Sequence, residues 1–295
     1  MKNYVVAIFL IFILIMPAEA RVVTDETGRS MNIPENPQRI VAFAPSITEI
    51  VFALGQGHRL VGVTGFSNFP SEAEELPRIG THISLDLEKI VSLNPDLCIG
   101  IKEGNPTSTV QRLNALNIPV YIVDPKNFNT VMKSISDIGN LLNCQDIAAS
   151  LLKDMTARIH AVKTKVSKAD HRPGVFFQIG IDPIVSAGNP TFIHELIELA
   201  GGRNLAAGPT SYPRFSKEKV LFMMPEIIFI TSMAREGGFG KVKAEWNLWT
   251  QLPAVENKRI FIIDSDIVNR PTFRLISGLE ALAALIHPEI FGKTE

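Results

Sequence analysis

Short apolar runs alternate along the chain with stretches whose apolar residues recur every three or four positions, and one such pair occurs twice. Residues 86–100 read Asp-Leu-Glu-Lys-Ile-Val-Ser-Leu-Asn-Pro-Asp-Leu-Cys-Ile-Gly, and residues 216–230 read Ser-Lys-Glu-Lys-Val-Leu-Phe-Met-Met-Pro-Glu-Ile-Ile-Phe-Ile. At a constant offset of 130 positions, Glu88 falls on Glu218, Lys89 on Lys219, Ile90 on Val220, Pro95 on Pro225 and Asp96 on Glu226. Each copy predicts a short helix opened by a capping residue, Asp86 or Ser216, halted by a proline and followed by a buried strand. A second echo follows, residues 120–124 (Val-Tyr-Ile-Val-Asp) resembling residues 260–264 (Ile-Phe-Ile-Ile-Asp). The repetition predicts two similar lobes with a cleft between them.

Other elements fill in around the repeat. Turn formers in residues 21–37 flank a hairpin-like segment, and residues 39–44 form an apolar strand. Ser46 with Glu49 three residues later has the form of a capping box for a helix ending at Gly55. A strand over 61–64, a polar connection over 65–82 and a helix over 105–117 complete the first half. From residue 143 to about 168, Ile147, Leu151, Met155, Ile159, Val162 and Val166 form one stripe of a single helix, with Asn143 as its cap and Asp146 three residues on. About 25 residues at ~1.5 Å each span ~37 Å, so this helix holds the lobes at a nearly fixed distance and a wide clamshell closure is not expected. Beyond it come a strand over 175–179, a helix over 191–200, a glycine-rich loop over 234–241, a strand over 259–263 and a closing helix over 272–286. The alternation predicts an α/β fold: two Rossmann-like lobes joined by one long rigid helix, with a ligand cleft between them. The expected divisions are a leader over 1–20, an N-terminal lobe over 21–142, a linking helix over 143–170 and a C-terminal lobe over 171–295.

The leader reading rests on Lys2, a 12-residue apolar run over 5–16 and the small-residue site Ala18-Glu19-Ala20. Twelve residues are too few to cross a ~30 Å hydrocarbon layer as a helix. No Cys stands at the cleavage site, so the expectation is a soluble, exported, periplasmic chain beginning near Arg21, without a lipid anchor. With 29 basic and 30 acidic residues, the net charge of −1 gives no footprint for nucleic acid or an anionic membrane surface. The only two cysteines, Cys98 and Cys144, read as buried free thiols rather than a disulfide framework.

No catalytic set assembles, and the chain is not expected to be an enzyme. There is no Gly-x-Ser-x-Gly elbow, and His194-Glu195 lacks the second His of a zinc-protease helix, reading instead as an exposed helix face. Gly237-Gly-Phe-Gly-Lys241 lacks the spacing of a phosphate loop and reads as a loop at the cleft rim. The six His are scattered, at 58, 82, 160, 171, 194 and 287, and no metal site is expected. His82 lies just before the first repeat helix, facing the expected cleft. Phe66, Phe69, His82, Tyr212, Asp266 and Arg270 stand in loops at strand ends, the sparse mixture of aromatic and polar groups that lines clefts for bulky ligands. Glu88 and Glu218 each occupy a first helical turn, where the dipole favours a carboxylate by ~0.3–1 kcal/mol. As a pair they would also suit a two-fold partner carrying matching arginines.

Arg39-Ile-Val-Ala-Phe-Ala-Pro-Ser-Ile-Thr-Glu49, residues 87–96, Leu252-Pro-Ala-Val255 and Arg259-Ile-Phe-Ile-Ile-Asp264 resemble the periplasmic binding proteins with a helical backbone, which serve ABC importers of cobalamin, ferric siderophores and haem. The resemblance runs over essentially the whole chain after the leader and is greatest to the cobalamin (vitamin B12) receptors. It implies a monomeric receptor that carries a cobalt corrinoid as cargo, with no resident cofactor, and that delivers it to an ABC permease dimer in the inner membrane. Glu88 and Glu218 match the glutamates that dock onto permease arginines. Phe66 stands where those receptors have a Tyr and Tyr212 where they have a Trp, while Asp266 and Arg270 match cleft residues. His82 and Ile101 depart, each standing where a Trp is found, so a ferric siderophore or haem remains the alternative cargo. A metal-dependent hydrolase and a bare-metal receptor are further alternatives, both requiring converging His or carboxylate ligands.

Overall fold

The structure, a computed structural model, describes residues 20–231 and 238–292. The expected leader, apart from Ala20, therefore lies outside the described residues, as does the first half of the glycine-rich loop, residues 234–237. A hairpin of β1 (Ala20–Thr24) and β2 (Ser30–Pro34) precedes the first sheet. That sheet contains β3 (Ile40–Ala42), β4 (Leu60–Val63), β5 (Leu97–Ile101) and β6 (Val120–Val123), all parallel in the order β4-β3-β5-β6. The second contains β7 (Gly174–Gln178), β8 (Arg203–Asn204), β9 (Ile227–Ile230) and β10 (Ile260–Ile262), also parallel, in the order β8-β7-β9-β10. Both sheets therefore run second-first-third-fourth, and the duplication seen in sequence is a duplication of topology.

The α-helices of the described residues are α1 (Pro45–Ala53), α2 (Leu87–Ser92), α3 (Thr107–Ala115), α4 (Phe128–Leu141), α5 (Gln145–Val166), α6 (Phe192–Leu199), α7 (Lys217–Phe222), α8 (Phe239–Asn247), α9 (Pro253–Glu256), α10 (Ser265–Val268), α11 (Leu275–Ile286) and α12 (Pro288–Phe291). The repeat helices α2 and α7 are capped as predicted, Asp86 accepting from the Lys89 N–H and Ser216 from the Lys219 N–H. After each proline the acid does the same work. Asp96 accepts from the backbone N–H of Gln38 and Arg39, at 2.7 and 2.9 Å, and Glu226 from that of Gly174 at 2.8 Å. Each carboxylate thus pins the start of its lobe's second-position strand, β3 or β7.

Several local expectations fail for identifiable reasons. Ser46 and Glu49 form no capping box: Pro45 opens α1, and Glu49 is drawn into a buried ion cluster. Asn143 does not cap the long helix. It takes a left-handed conformation (φ +56°) that breaks the chain between α4 and α5, its amide donating to the Glu35 carbonyl, and Cys144 takes the cap position. The stripe of α5 is shifted by one residue at its start, with Ala148, Met155 and Val162 buried and Ile147 exposed. Asn105 stays outside α3 because its side chain bonds the ends of other segments. The closing helix begins at Leu275 rather than Thr272, whose hydroxyl serves Glu49. Phe239 to Lys241 belong to α8 rather than to a rim loop. His194 and Glu195 are half-buried: His194 meets the Asn204 amide at 3.1 Å, and Glu195 accepts from the Phe128 N–H at 2.6 Å.

Packing divides into three apolar clusters. Val41, Ile90, Cys98, Val110 and Val120 fill the outer side of the first sheet under α2 and α3. Phe176, Val220, Ile228, Val242 and Trp246 fill the outer side of the second under α7 and α8. The inner sides share one cluster, in which Ile47 of α1, Val131 and Ile135 of α4, Met155 of α5, Leu196 of α6 and Leu279 of α11 meet. The lobes are therefore joined by a common core as well as by the 22-residue α5. Prising them apart would return several side chains to water at ~1.5–3 kcal/mol each, which makes the pair stiff. Cys98 and Cys144 are buried and unpaired, and burial pushes both thiols up.

Candidate functional site

A cavity of about 310 Å³, open to solvent, lies between the lobes. Its wall is built at the carboxyl ends of the strands, where parallel sheets whose strand order reverses leave a crevice. Pro45 and Ser46 follow β3, Phe66 follows β4, Ile101 to Gly104 end β5, and Asp124 to Lys126 follow β6. The C-terminal lobe contributes Phe192, Tyr212 and, after β10, Ser265, Asp266 and residues 269–271. All five predicted cleft residues, Phe66, His82, Tyr212, Asp266 and Arg270, come together on this wall. Phe69 does not; the Arg274 guanidinium lies 4.0 Å from its ring centroid.

His82 is held from both sides. Asn105 donates to the carbonyls of His82 (2.8 Å) and Phe43 (3.0 Å), and its side-chain oxygen accepts from the Ile101 N–H at 2.7 Å. The imidazole packs on Gly104, whose φ of +103° suits glycine, and a Cβ there would come within 2.9 Å of the ring. Burial lowers the His82 pKa, so the ring presents itself neutral. Across the mouth, the Tyr212 hydroxyl faces Glu103 at 3.5 Å, a long contact; desolvation and that carboxylate push the phenol up to about 12.

The floor is an ion cluster that ties the lobes. Glu49, 1 % exposed, accepts from Arg270 at 2.6 Å, from Arg274 at 3.1 Å and from the Thr272 hydroxyl at 3.0 Å. Burial raises the Glu49 carboxyl's pKa, against the pull of both guanidiniums. Arg270 also meets Asp266 at 2.7 Å and donates to the Phe66 carbonyl at 3.1 Å, while Asn68 donates to Asp266 at 3.1 Å. Arg270 and Asp266 thus reach the cavity as parts of an interlobe clamp. Glu49 and its partners lie more than 220 positions apart in the chain, and nothing local announces the pairing.

Among the described residues, the wall therefore offers the partly exposed rings of Phe66 and Tyr212, a neutral imidazole and one guanidinium, Arg270, already matched to Glu49 and Asp266. Among the described residues, no three His, Cys, Asp or Glu side chains converge as a metal site. Glu88 and Glu218 stand away from the cavity, exposed in the first turns of α2 and α7. The Glu218 backbone N–H and the Ser216 hydroxyl hold the Glu218 carboxyl below the usual range.

Comparison with known proteins agrees with this architecture. The family model described as periplasmic binding protein matches residues 40–267. The chain is 31 % identical over 275 residues to the uncharacterized ABC transporter substrate-binding lipoprotein YvrC of Bacillus subtilis, covering 91 % of this chain and 86 % of that one. Among solved structures, the periplasmic vitamin B12-binding protein BtuF of Vibrio cholerae is 28 % identical with a TM-score of 0.74, covering 88 % of this chain and 100 % of its own. The periplasmic heme-binding protein RhuT of Roseiflexus sp. RS-1, in apo form, is 28 % identical with a TM-score of 0.77, covering 85 % and 98 %. The two solved structures share this chain's fold over most of its length, and the chain belongs to the periplasmic binding protein family of ABC transporter substrate-binding proteins.

Proposed function

We propose that this chain captures a corrinoid outside the cytoplasmic membrane and hands it to an ABC permease dimer, without making or breaking a bond. The observation that carries the reading is the pair of aromatic side chains, Phe66 from one lobe and Tyr212 from the other, flanking an open cavity whose arginine among the described residues, Arg270, is committed to Glu49 and Asp266. A large, mostly apolar macrocycle with polar edges suits such walls; its bulk beyond the ~310 Å³ interior would stay at the open mouth. The stiff pair of lobes limits the ordering cost of binding. Among the described residues, the cavity's Arg270 is matched to Glu49 and Asp266, which argues against a siderophore, whose carboxylate or catecholate oxygens need free cationic donors.

One observation favours haem as the second reading. The neutral His82 imidazole has a lone pair available to the metal of a planar chelate, and His is a common metal ligand in its neutral form. Titrating the mature protein with cyanocobalamin, a corrinoid precursor, haem and a ferric siderophore, followed by visible absorbance and calorimetry, separates the readings. Tight corrinoid binding is expected; tight haem binding without corrinoid binding overturns the first reading.

Handover is assigned to Glu88 and Glu218. Glu88→Lys with Glu218→Lys is expected to abolish uptake while ligand affinity stays unchanged. Uptake at the parent rate would reject the docking role.

A further inference from the structure

The two repeat units differ on the very surface where they carry the same glutamate. Residues 86–100 and 216–230 have an identical succession of buried, half-buried and exposed positions. Where an exposed position differs in chemistry between them, packing within the fold did not require the difference.

Glu88 and Ser92 lie four residues apart on one face of α2, and Glu218 and Phe222 lie on the equivalent face of α7. Ser92 is an ordinary solvated residue whose hydroxyl donates to the Lys89 carbonyl at 2.8 Å. Phe222 is 82 % exposed, with the Lys219 ammonium 5.7 Å from its ring centroid. Two residues on, the backbone turns left-handed in both units before the proline, with φ +46° at Asn94 and +50° at Met224. Asparagine tolerates that conformation because its short amide bonds locally; methionine has no such compensation and is strained there. Met224 is also 48 % exposed, so its strain is not offset by burial. An apolar, strained, solvent-facing pair next to Glu218 matches a surface that is covered when that glutamate meets its partner.

We propose that Phe222 and Met224 form an apolar knob that enters an apolar pocket on one half of the permease, beside the basic group that receives Glu218. The N-terminal lobe, with Ser92 and Asn94 in these places, makes a polar contact with the other half. The two lobes are therefore gripped unequally, and the C-terminal lobe supplies most of the docking affinity. This rests on the docking role given above to Glu88 and Glu218.

The test measures binding of the full mature protein to the ABC permease whose uptake depends on it, reconstituted in nanodiscs, with empty nanodiscs of the same lipid alongside. F222S/M224N is expected to weaken binding at least about tenfold, the size expected when a Phe side chain fails to leave water. S92A/N94A is expected to change it less than about twofold. M224N alone is expected to raise the thermal midpoint, because Asn relieves the left-handed strain, and cargo affinity should match the parent in every variant. Unchanged binding by F222S/M224N overturns the knob; if E88K/E218K still abolishes binding, the docking reading survives it. If E88K/E218K also binds as the parent does, the docking reading fails too. Parent binding to empty nanodiscs that F222S/M224N loses would instead mark a lipid contact. Parent self-association in sedimentation that F222S/M224N loses would mark a second copy of this chain. Either result overturns the proposal.

Discussion

The N-terminal and C-terminal repeat units share a skeleton and differ in their faces. Helix cap, proline, left-handed turn and strand-pinning carboxylate recur at an offset of 130, as Asp86 and Ser216, Pro95 and Pro225, Asn94 and Met224, Asp96 and Glu226. The residues around the cavity do not recur. The first lobe supplies Phe66, His82 and Glu103, and the second supplies Tyr212, Asp266 and Arg270. Positions that hold a strand in place are alike in both halves, whereas the residues that line the cavity differ. Sameness in the strand-pinning residues marks folding; the one shared exposed pair, Glu88 and Glu218, is the exception, because the proposed handover uses both.

The largest test of this division is Glu49, which belongs to neither repeat yet locks the lobes together. Glu49→Ala leaves the buried Arg270 with only Asp266 and the Phe66 carbonyl, takes the carboxylate from half-buried Arg274, and is expected to cost about 3–5 kcal/mol in urea unfolding. A loss under 1 kcal/mol would show that the shared core alone holds the lobes.

Asp96 and Glu226 sharpen the claim of sameness. Each bonds the backbone at the start of its strand, so Asp96→Ala and Glu226→Ala are each expected to cost about 1–3 kcal/mol and to agree with one another. Widely different losses would separate the lobes energetically. For Glu226, burial pushes the carboxyl up, but the Gly174 N–H and His171 outweigh it and the pKa is lowered. The stability from that lowering is present above the unfolded glutamate value near ~4.3 and is lost as pH falls through the folded value. Glu226→Gln should therefore flatten the acid limb of the stability curve.

The smallest expected effect is at His82. Burial lowers its folded pKa, so the unfolded chain binds the proton more readily and stability falls as pH drops below ~6.5. His82→Gln is expected to remove that slope in thermal melts from pH 7 to 5, with little change at pH 7.

Much of this frame was legible in the sequence because the signals are local. The caps at Asp86 and Ser216, the prolines and the apolar strands need no distant partner, and the stripe through Met155 and Val162 announces α5. The misses have one physical source. Glu49 has the spacing of a cap, but its partners Arg270, Thr272 and Arg274 come from the other lobe, and a long-range ion cluster overrides a local hydrogen bond. α4 lies outside every predicted element, although Asn127 and Thr130 form a capping box and Val131, Ile135 and Ile138 form a helical stripe. The cleft residues could be assembled in advance only as loop positions at strand ends; that Arg270 is spent on Glu49 depends on packing no local pattern encodes.

The continuous core along α5 has a consequence for traffic at the membrane. Lobes that share one core along α5 resist a change of outline when cargo enters. On the proposed handover, idle copies would then compete with cargo-bearing ones for the permease, so uptake at scarce cargo should slow as the number of copies per permease rises.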